Sequence, residues 1–224
     1  MATISLPLAV WGTGYAQFFS RWVNGVRSLG RKPDEIVIVT DEANKDIAAE
    51  LEIDIPVKTF WLKVADYRLW DYAIRQCSGD WVAICNIDDK FLPNALDQID
   101  EADEAGANLL VDSLRVKGTD HLWTGYWDAN TIPQRFTLVG AEPMRRDLYI
   151  EAGGFEPEYR FPDWALAVRM VAKGLVRPFT AKTERVIFDP GHDRVTLSGT
   201  NANPQAKTAG TAQVHELARS LGLL

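Results

Sequence analysis

An alternation of strand and helix patterns in the first half of the chain constrains its fold more than any other feature. Short apolar or β-branched runs, which predict strands, lie at residues 6–11, 35–40, 57–62 and 81–85. Each run is followed by a helical pattern, at residues 15–29, 47–51, 69–77 and 93–105. This alternation is typical of a mostly parallel sheet covered by helices on both faces. We therefore predict an α/β protein.

The second half of the chain is less regular. Strand patterns occur at residues 108–114, 121–127, 137–140 and 185–188, and helical patterns at 144–152, 163–172 and 212–221. Residues 199–210 are rich in Gly, Asn, Thr and Ala, a composition that indicates a mobile segment. Since no internal repeat or clear linker is present, we predict one domain over residues 1–198 and a flexible tail with a short helix over residues 199–224.

The composition is that of an ordinary globular protein, with 46% hydrophobic and 25% charged residues. A net charge of -7 argues against a broad electrostatic grip on nucleic acid, although a local basic groove stays open. Cys77 and Cys85 lie in apolar patterns and fit no zinc motif, so we interpret them as reduced core residues. No run approaches the ~20 apolar residues of a membrane span, and residues 1–11 do not resemble a signal peptide. We expect a cytoplasmic protein.

Two adjacent acids follow the last strand of the first half, in the segment Asn86-Ile87-Asp88-Asp89. Open α/β sheets bind ligands at the carboxyl ends of their strands, which is where this segment is expected to lie. Adjacent carboxylates there can hold a divalent cation, and the cation can hold a diphosphate. The alternative is that the acids cap a helix that starts at Pro93.

A glycine pair follows the first strand, in the segment Gly12-Thr13-Gly14. A glycine turn that opens a helix can bind phosphate through backbone amides. Gln17 stands where the dinucleotide-binding fingerprint has its next glycine, so that fingerprint is absent. A tight strand-to-helix turn without a ligand explains the same residues.

The order of motifs along residues 5–195 resembles that of the inverting GT-A-fold glycosyltransferases of the family-two type. The motifs that carry the resemblance are 78–80 (Ser-Gly-Asp) ahead of a strand, 86–89 after it, 153–156 (Gly-Gly-Phe-Glu), and 161–164 (Phe-Pro-Asp-Trp). Two positions depart from the family pattern: Asn86 replaces the first acid of its Asp-Xaa-Asp motif, and Pro162 replaces the Glu of its Glu-Asp pair. The resemblance implies a GT-A (Rossmann-like) fold, with a nucleotide-binding half at residues 1–106 and an acceptor half at 107–198.

The resemblance also implies a chemistry, which is transfer of a sugar from a nucleotide-sugar, most simply a UDP-sugar, to a hydroxyl acceptor. Asp163 would be the base that takes the acceptor proton, and a divalent Mn²⁺ or Mg²⁺ would assist the departing diphosphate. The implied metal ligands are Asp88, Asp89 and His192. The implied nucleotide-binding residues are Gly12, Thr13, Tyr15, Asp41, Arg68, Asn86 and Arg194, and the implied acceptor-binding residues are Trp164 and Trp127.

Several of these roles have structural alternatives. Asp163 could cap a helix, Asp41 could belong to a turn, Trp164 could lie in the core, and His192 and Arg68 could be solvated surface residues. Two other functions also stay open. One is a sugar-phosphate nucleotidyltransferase, although Gly12–Tyr15 lacks the basic residue usual in that class. The other is a catalytically inactive carbohydrate-binding or interaction protein on the same fold. The acceptor is not identified by the sequence, and a modified nucleobase is among the possibilities.

Overall fold

A computed structural model describes residues 1–12, 14–49, 51–140, 142–188 and 204–224. The first half of the chain largely follows the predicted alternation. Its elements are β1 (Ile4–Val10), α1 (Phe19–Arg27), β2 (Glu35–Asp41), β3 (Val57–Leu62), α2 (Arg68–Gln76), β4 (Trp81–Val82), β5 (Lys90–Phe91) and α3 (Asp97–Glu104). Short 3-10 helices precede α1 and follow β2, at Ala16–Phe18 and Glu42–Asn44.

The second half contains shorter elements. They are β6 (Leu109–Val111), β7 (Ser113–Val116), β8 (Leu122–Thr124), β9 (Met144–Arg145), α4 (Arg146–Glu151), α5 (Pro162–Lys173), β10 (Pro178–Thr180), β11 (Val186–Phe188) and α6 (Pro204–Ser220). Among the helices of the described residues, none is long and apolar enough to cross a membrane.

The strands form a large and a small sheet. The large sheet has seven strands in the order β10-β6-β9-β4-β1-β2-β3. In this sheet β1 is parallel to both β2 and β4, and β2 is parallel to β3. Strand β9 lies between β4 and β6 and is antiparallel to both. The small sheet has the order β5-β11-β7-β8. The predicted α/β class, with a mostly parallel central sheet and a less regular second half, is confirmed.

Both faces of the large sheet are buried at its central strands β1, β2 and β4, as near-continuous apolar strands require. Along β2, Ile36 and Ile38 point into the core under α1 and α3, while Val37 and Val39 point into the core under α2 and α5. All four side chains have no solvent exposure. Full burial of one such side chain contributes about 1.5–3 kcal/mol, so the two cores fix the sheet between its helices.

The structure departs from the sequence predictions mainly where distant parts of the chain meet. The helix predicted at residues 47–51 does not form over residues 47–49, which are turns. The strand predicted at 108–114 is split at Asp112 into β6 and β7, which belong to different sheets. The strand predicted at 137–140 is absent, because Glu142 holds the amides of this segment. The helix predicted at 144–152 starts at Arg146, since β9 first fills a gap in the large sheet.

The C-terminal helix is longer than its sequence pattern indicates. It begins at Pro204 and includes residues 204–210, for which the composition predicts mobility. Gly210 is buried there, and a Cβ at this position would lie 2.6 Å from the Phe161 ring. Because this contact needs a residue without a side chain, the glycine at position 210 reflects packing of α6 against the start of α5.

Candidate functional site

The carboxyl ends of the parallel strands meet at one edge of the large sheet. Val10 at the end of β1 pairs with Thr40 near the end of β2, so Gly12 and Asp41 emerge side by side. The Gly12 amide donates to Asp41 Oδ2 at 2.7 Å. Gly12 has φ +74, a conformation that suits glycine and turns the chain sharply at this edge.

Asp41 is committed to the local turn. Its Oδ1 accepts the backbone amide of Asn44 at 3.1 Å and the Asn44 side-chain amide at 2.6 Å. The side chain of Asn44 also donates to the Gly12 carbonyl at 3.1 Å. Since Asp41 is only 7% exposed, these contacts match the turn role that the sequence left open, and the residue acts on the edge by shaping the Gly12 turn.

The segment after β4 forms a turn that separates its two acids. The Asn86 side-chain amide donates to Asp89 Oδ2 at 3.1 Å, and the Asp89 backbone amide donates to the Asn86 carbonyl at 3.0 Å. Asp89 is 4% exposed, whereas Asp88 is half-buried and Asn86 is exposed. The turn therefore draws Asp89 inward and leaves Asp88 as the more accessible carboxylate of the pair.

Two arginines that the sequence reasoning missed accompany these acids. The Arg21 side chain on α1 donates to the Asp88 carbonyl, and the Arg185 side chain, just before β11, donates to the Ile84 carbonyl at 3.0 Å. Burial is the main cause of a raised pKa at the Cys85 thiol, and the charges of these two arginines, Asp88 and Asp89 also act on it. Positively and negatively charged side chains are thus grouped after β4, and no local sequence motif predicts this grouping.

Asp163 lies at the start of α5, directly after Pro162. Its Oδ1 accepts the Trp164 amide at 2.9 Å, while the N-cap position belongs to Phe161. Burial raises the pKa of the Asp163 carboxyl, because a charge is disfavoured away from water. A Cβ at Gly140 would lie 2.9 Å from Asp163 Oδ2, so this glycine leaves room beside that oxygen.

Contacts of Asp163 connect it with the edge of the large sheet. Asp163 and Ile84 line the same cavity, of about 20 Å³, and Asp88 follows Ile84 by four residues. Burial raises the pKa of Tyr67, and the negative charge of Asp163 raises it further. The Tyr67 ring lies 5.8 Å from the ring of Trp11, the residue before Gly12. The carboxylate of α5 therefore approaches the ends of β1 and β4 from the second half of the chain.

The structure corrects the role expected of Trp164. This side chain is 6% exposed, and its Nε1 donates to the Ile132 carbonyl at 2.7 Å. The rings of Phe136, Phe161 and His215 surround it, with centroids 5.6 to 6.4 Å away. This burial removes the ring face that stacking on an acceptor sugar needs, so Trp164 is a core residue that anchors the start of α5.

Aromatic side chains near Trp127 are more accessible. Trp127 itself is half-buried and packs against the core, whereas Trp123 and Tyr126 are 45% and 43% exposed. The Tyr126 amide donates to the Thr137 carbonyl at 2.9 Å, which joins this segment to the loop that ends at Gly140. The segment at residues 123–127, which carries these aromatic side chains, is thus tied to the loop beside Asp163.

The other predicted nucleotide-binding residues lie near the same edge or outside the described residues. The ring of Tyr15 is half-buried, with its centroid 6.0 Å from that of Trp11. Arg68 is exposed at the start of α2 and forms an ion pair with Asp66 at 2.6 Å. Thr13 and Arg194 lie outside the residues that the structure describes, as does the predicted metal ligand His192.

The carboxylates after β4 suit a metal that is shared with a substrate. In the described ranges, no three side chains of His, Cys, Asp or Glu are grouped as a protein-only metal cage. Mg²⁺ usually keeps waters and is bound through one or two carboxylates together with substrate phosphates. The half-buried carboxylate of Asp88, followed in the chain by the inward-turned Asp89, fits that second arrangement and does not fit the first.

No family model matches this sequence, and no curated protein matches it. Solved structures do match, and structures of S. aureus TarS are among them. TarS 1-349 in complex with UDP-GlcNAc aligns with a TM-score of 0.65 at 13% identity, over 98% of this chain and 72% of that one. TarS 1-349 in complex with UDP aligns with a TM-score of 0.66 at 14% identity, over 96% of this chain and 70% of that one. A longer TarS chain gives 0.66 at 13%, and 42% of its length is spanned.

At this identity the likeness shows the fold alone. The chain has a glycosyltransferase-like, GT-A-like fold, with its motifs at the edge where such sheets bind ligands. Membership of the family-two type, which the order of motifs predicts, stays a prediction.

Proposed function

We propose that this protein is a metal-dependent glycosyltransferase that moves a sugar from a UDP-sugar to a hydroxyl acceptor with inversion at the anomeric carbon. One observation carries the proposal. Asp163 shares a cavity with Ile84, four residues before Asp88, and this supports a proposed base and a proposed diphosphate-binding turn at one edge of the sheet. The TarS complexes with UDP-GlcNAc and UDP support a nucleotide-sugar as the donor.

The proposed base is Asp163, acting through Oδ2. Inversion is a direct displacement, so the acceptor hydroxyl must lose its proton to a base within hydrogen-bond reach. Oδ1 already accepts the Trp164 amide, while Gly140 leaves space beside Oδ2. A raised pKa makes the carboxylate a stronger base than an exposed Asp. The acceptor proton would therefore move to Oδ2.

The proposed diphosphate site is the turn after β4. Asp88, with Asp89 beside it, would hold a divalent Mn²⁺ or Mg²⁺, which when bound neutralises negative charge on the leaving diphosphate. Asn86 shapes the turn by its bond to Asp89. Arg21 adds positive charge beside Asp88, which favours an anionic ligand at this edge.

The acceptor is proposed to bind at residues 123–127, which carry exposed aromatic side chains. Aromatic faces suit sugar rings, and Trp123, Tyr126 and Trp127 are joined to the loop beside Asp163. The acceptor hydroxyl would approach from this side, while the donor lies toward the ends of β1 and β4.

The experiment is an assay of UDP release from a panel of UDP-sugars, with Mn²⁺, with Mg²⁺ and with EDTA. We expect metal-dependent release from at least one donor and its loss in Asp163→Asn and Asp88→Asn. Asp54→Asn is the matched control, because Asp54 is exposed and precedes β3 at the opposite edge of the sheet.

Two outcomes would redirect the proposal. Binding of a UDP-sugar without any release would favour the inactive carbohydrate-binding protein. Release that persists in both Asp163→Asn and Asp88→Asn would refute the assignment of the site.

A further inference from the structure

A second buried acid, Glu142, lines the same cavity as the proposed base. Glu142 is 3% exposed, and its two oxygens accept the backbone amides of Val139 and, at 3.0 Å, Gly140. Two consecutive amides held by one carboxylate fix the position of a loop more firmly than a single bond does. The segment at residues 139–140 is therefore set by Glu142.

Gly140 faces Asp163 with its opposite side. Its φ of +88 lies in the left-handed region, and a Cβ there would be 2.9 Å from Asp163 Oδ2. Glu142 and Asp163 also line the same cavity of about 20 Å³, which is room for about one water molecule. Glu142 and Asp163 therefore border one small cavity, and Gly140 contacts the first through its amide and lies beside Oδ2 of the second.

The charged groups around Glu142 include Asp112, Arg185 and Asp163. Asp112, at the junction of β6 and β7, raises the pKa of Glu142, although burial is the larger cause. The guanidinium of Arg185 forms an ion pair with Asp112 at 2.8 Å. Asp163 faces Glu142 from the start of α5, across the cavity. The backbone amides of Val139 and Gly140 hold Glu142 in place.

We propose that Glu142 is a positioning residue for Asp163: by holding the amides of residues 139–140 it keeps Gly140 against Oδ2 and so aligns the base with the acceptor hydroxyl. This inference rests on the proposed function, because it assigns Glu142 a task only if Asp163 is the base. Glu142 itself would touch neither substrate nor metal.

A pH dependence follows from the same contacts. Burial raises the pKa of Glu142 to about 7. The carboxylate accepts both amides, whereas the protonated acid has an O–H in place of one acceptor and holds the loop less well. As pH falls through about 7, alignment of Asp163 is lost and kcat decreases.

The test uses the assay of UDP release with the UDP-sugar that proves active. The kcat of wild type, Glu142→Gln and Glu142→Asp is measured from pH 6 to 8.5. A glutamine cannot accept both amides, and an aspartate is too short to reach both. We expect kcat at pH 8 to fall by about tenfold to a hundredfold in both variants, the cost of a misaligned reacting group. The KM for the donor should stay within about twofold, and the change of kcat near pH 7 should disappear from Glu142→Gln.

Glu35→Gln is the matched control. Glu35 is also a buried acid that accepts a backbone amide, from Ser78, but it opens β2 at the opposite edge of the sheet. Its variant should lose stability and keep the wild-type pH profile. If Glu142→Gln does not fold, Glu142→Asp and the wild-type profile decide, because a wild-type kcat that is flat from pH 6 to 8.5 overturns the inference.

The remaining outcomes separate this inference from the proposed function. Suppose that Asp163→Asn is inactive, while kcat of Glu142→Gln equals that of wild type or is lower than wild type by the same factor at every pH. The positioning role is then wrong and the proposed base stands. If Asp163→Asn turns over normally, the proposed base is wrong and the positioning role falls with it.

Discussion

Replacing Glu142 with glutamine should change how the stability of this protein depends on pH. Glu142 is 3% exposed, and burial raises the pKa of its carboxyl from an ordinary 4.5 to about 7. The folded state therefore binds this proton more tightly than the unfolded state does. Linkage then requires the free energy of unfolding to fall as pH rises from 4.5 to about 7, and to level off above.

The size of this effect follows from the two pKa values. The full shift corresponds to about 3 kcal/mol, at about 1.4 kcal/mol per pH unit. Part of it is already spent at pH 5, so about 2.5 kcal/mol remains between pH 5 and pH 8. Glutamine does not titrate. The free energy of unfolding of Glu142→Gln, relative to wild type, should therefore rise by about 2.5 kcal/mol over this interval.

The assay is urea denaturation of both proteins at pH 5, 6, 7 and 8. Any fixed cost of the substitution, such as an amide N–H facing the backbone N–H of Gly140, is the same at every pH and cancels in the slope. Glu35→Gln is the control: its pKa is lowered to about 2, so its difference from wild type should be flat from pH 5 to 8. An equally flat difference for Glu142→Gln would refute the buried titration.

Two further predictions concern side chains that hold the site together. Arg185→Met should cost about 3–5 kcal/mol in urea denaturation, because Asp112 is then left as a buried charge without its partner, whereas Arg115→Met, which breaks an exposed pair, should cost at most about 1 kcal/mol. Equal effects of the two arginine variants would contradict this account. Trp164→Phe should cost about 1–3 kcal/mol through a lost buried hydrogen bond, and the exposed Trp123→Phe should be near neutral. An acceptor KM that rises in Trp164→Phe without any loss of stability would restore the stacking role.

Local patterns were enough for most of the fold. The buried strands of the first half are short apolar runs with helical patterns between them, and a parallel sheet follows from that order. Pro162 and the acids at residues 86–89 and 163 could be placed because each lies at the end of an element. The turn role of Asp41, left open by the sequence, became visible only from its bonds to Gly12 and Asn44.

The missed features depend on contacts between distant residues. Asp112 splits a strand because Arg185, 73 residues later, pairs with it in the core. Gly210 favours mobility as a sequence pattern, whereas in the structure it packs against Phe161. Glu142 carries no motif at all, and its importance comes from the loop that it holds. Such partners have no fixed spacing along the chain, so a single sequence does not reveal them.

The most direct test of the central claim is calorimetric titration of UDP into the protein, with and without Mn²⁺. We predict that Mn²⁺ tightens UDP binding to wild type and Asp54→Asn by at least about tenfold, or about 1.4 kcal/mol. Asp88→Asn should lose this gain, whereas Asp163→Asn should keep it and lose only turnover. UDP affinity that is the same with and without Mn²⁺, or that is unchanged in Asp88→Asn, would contradict the account.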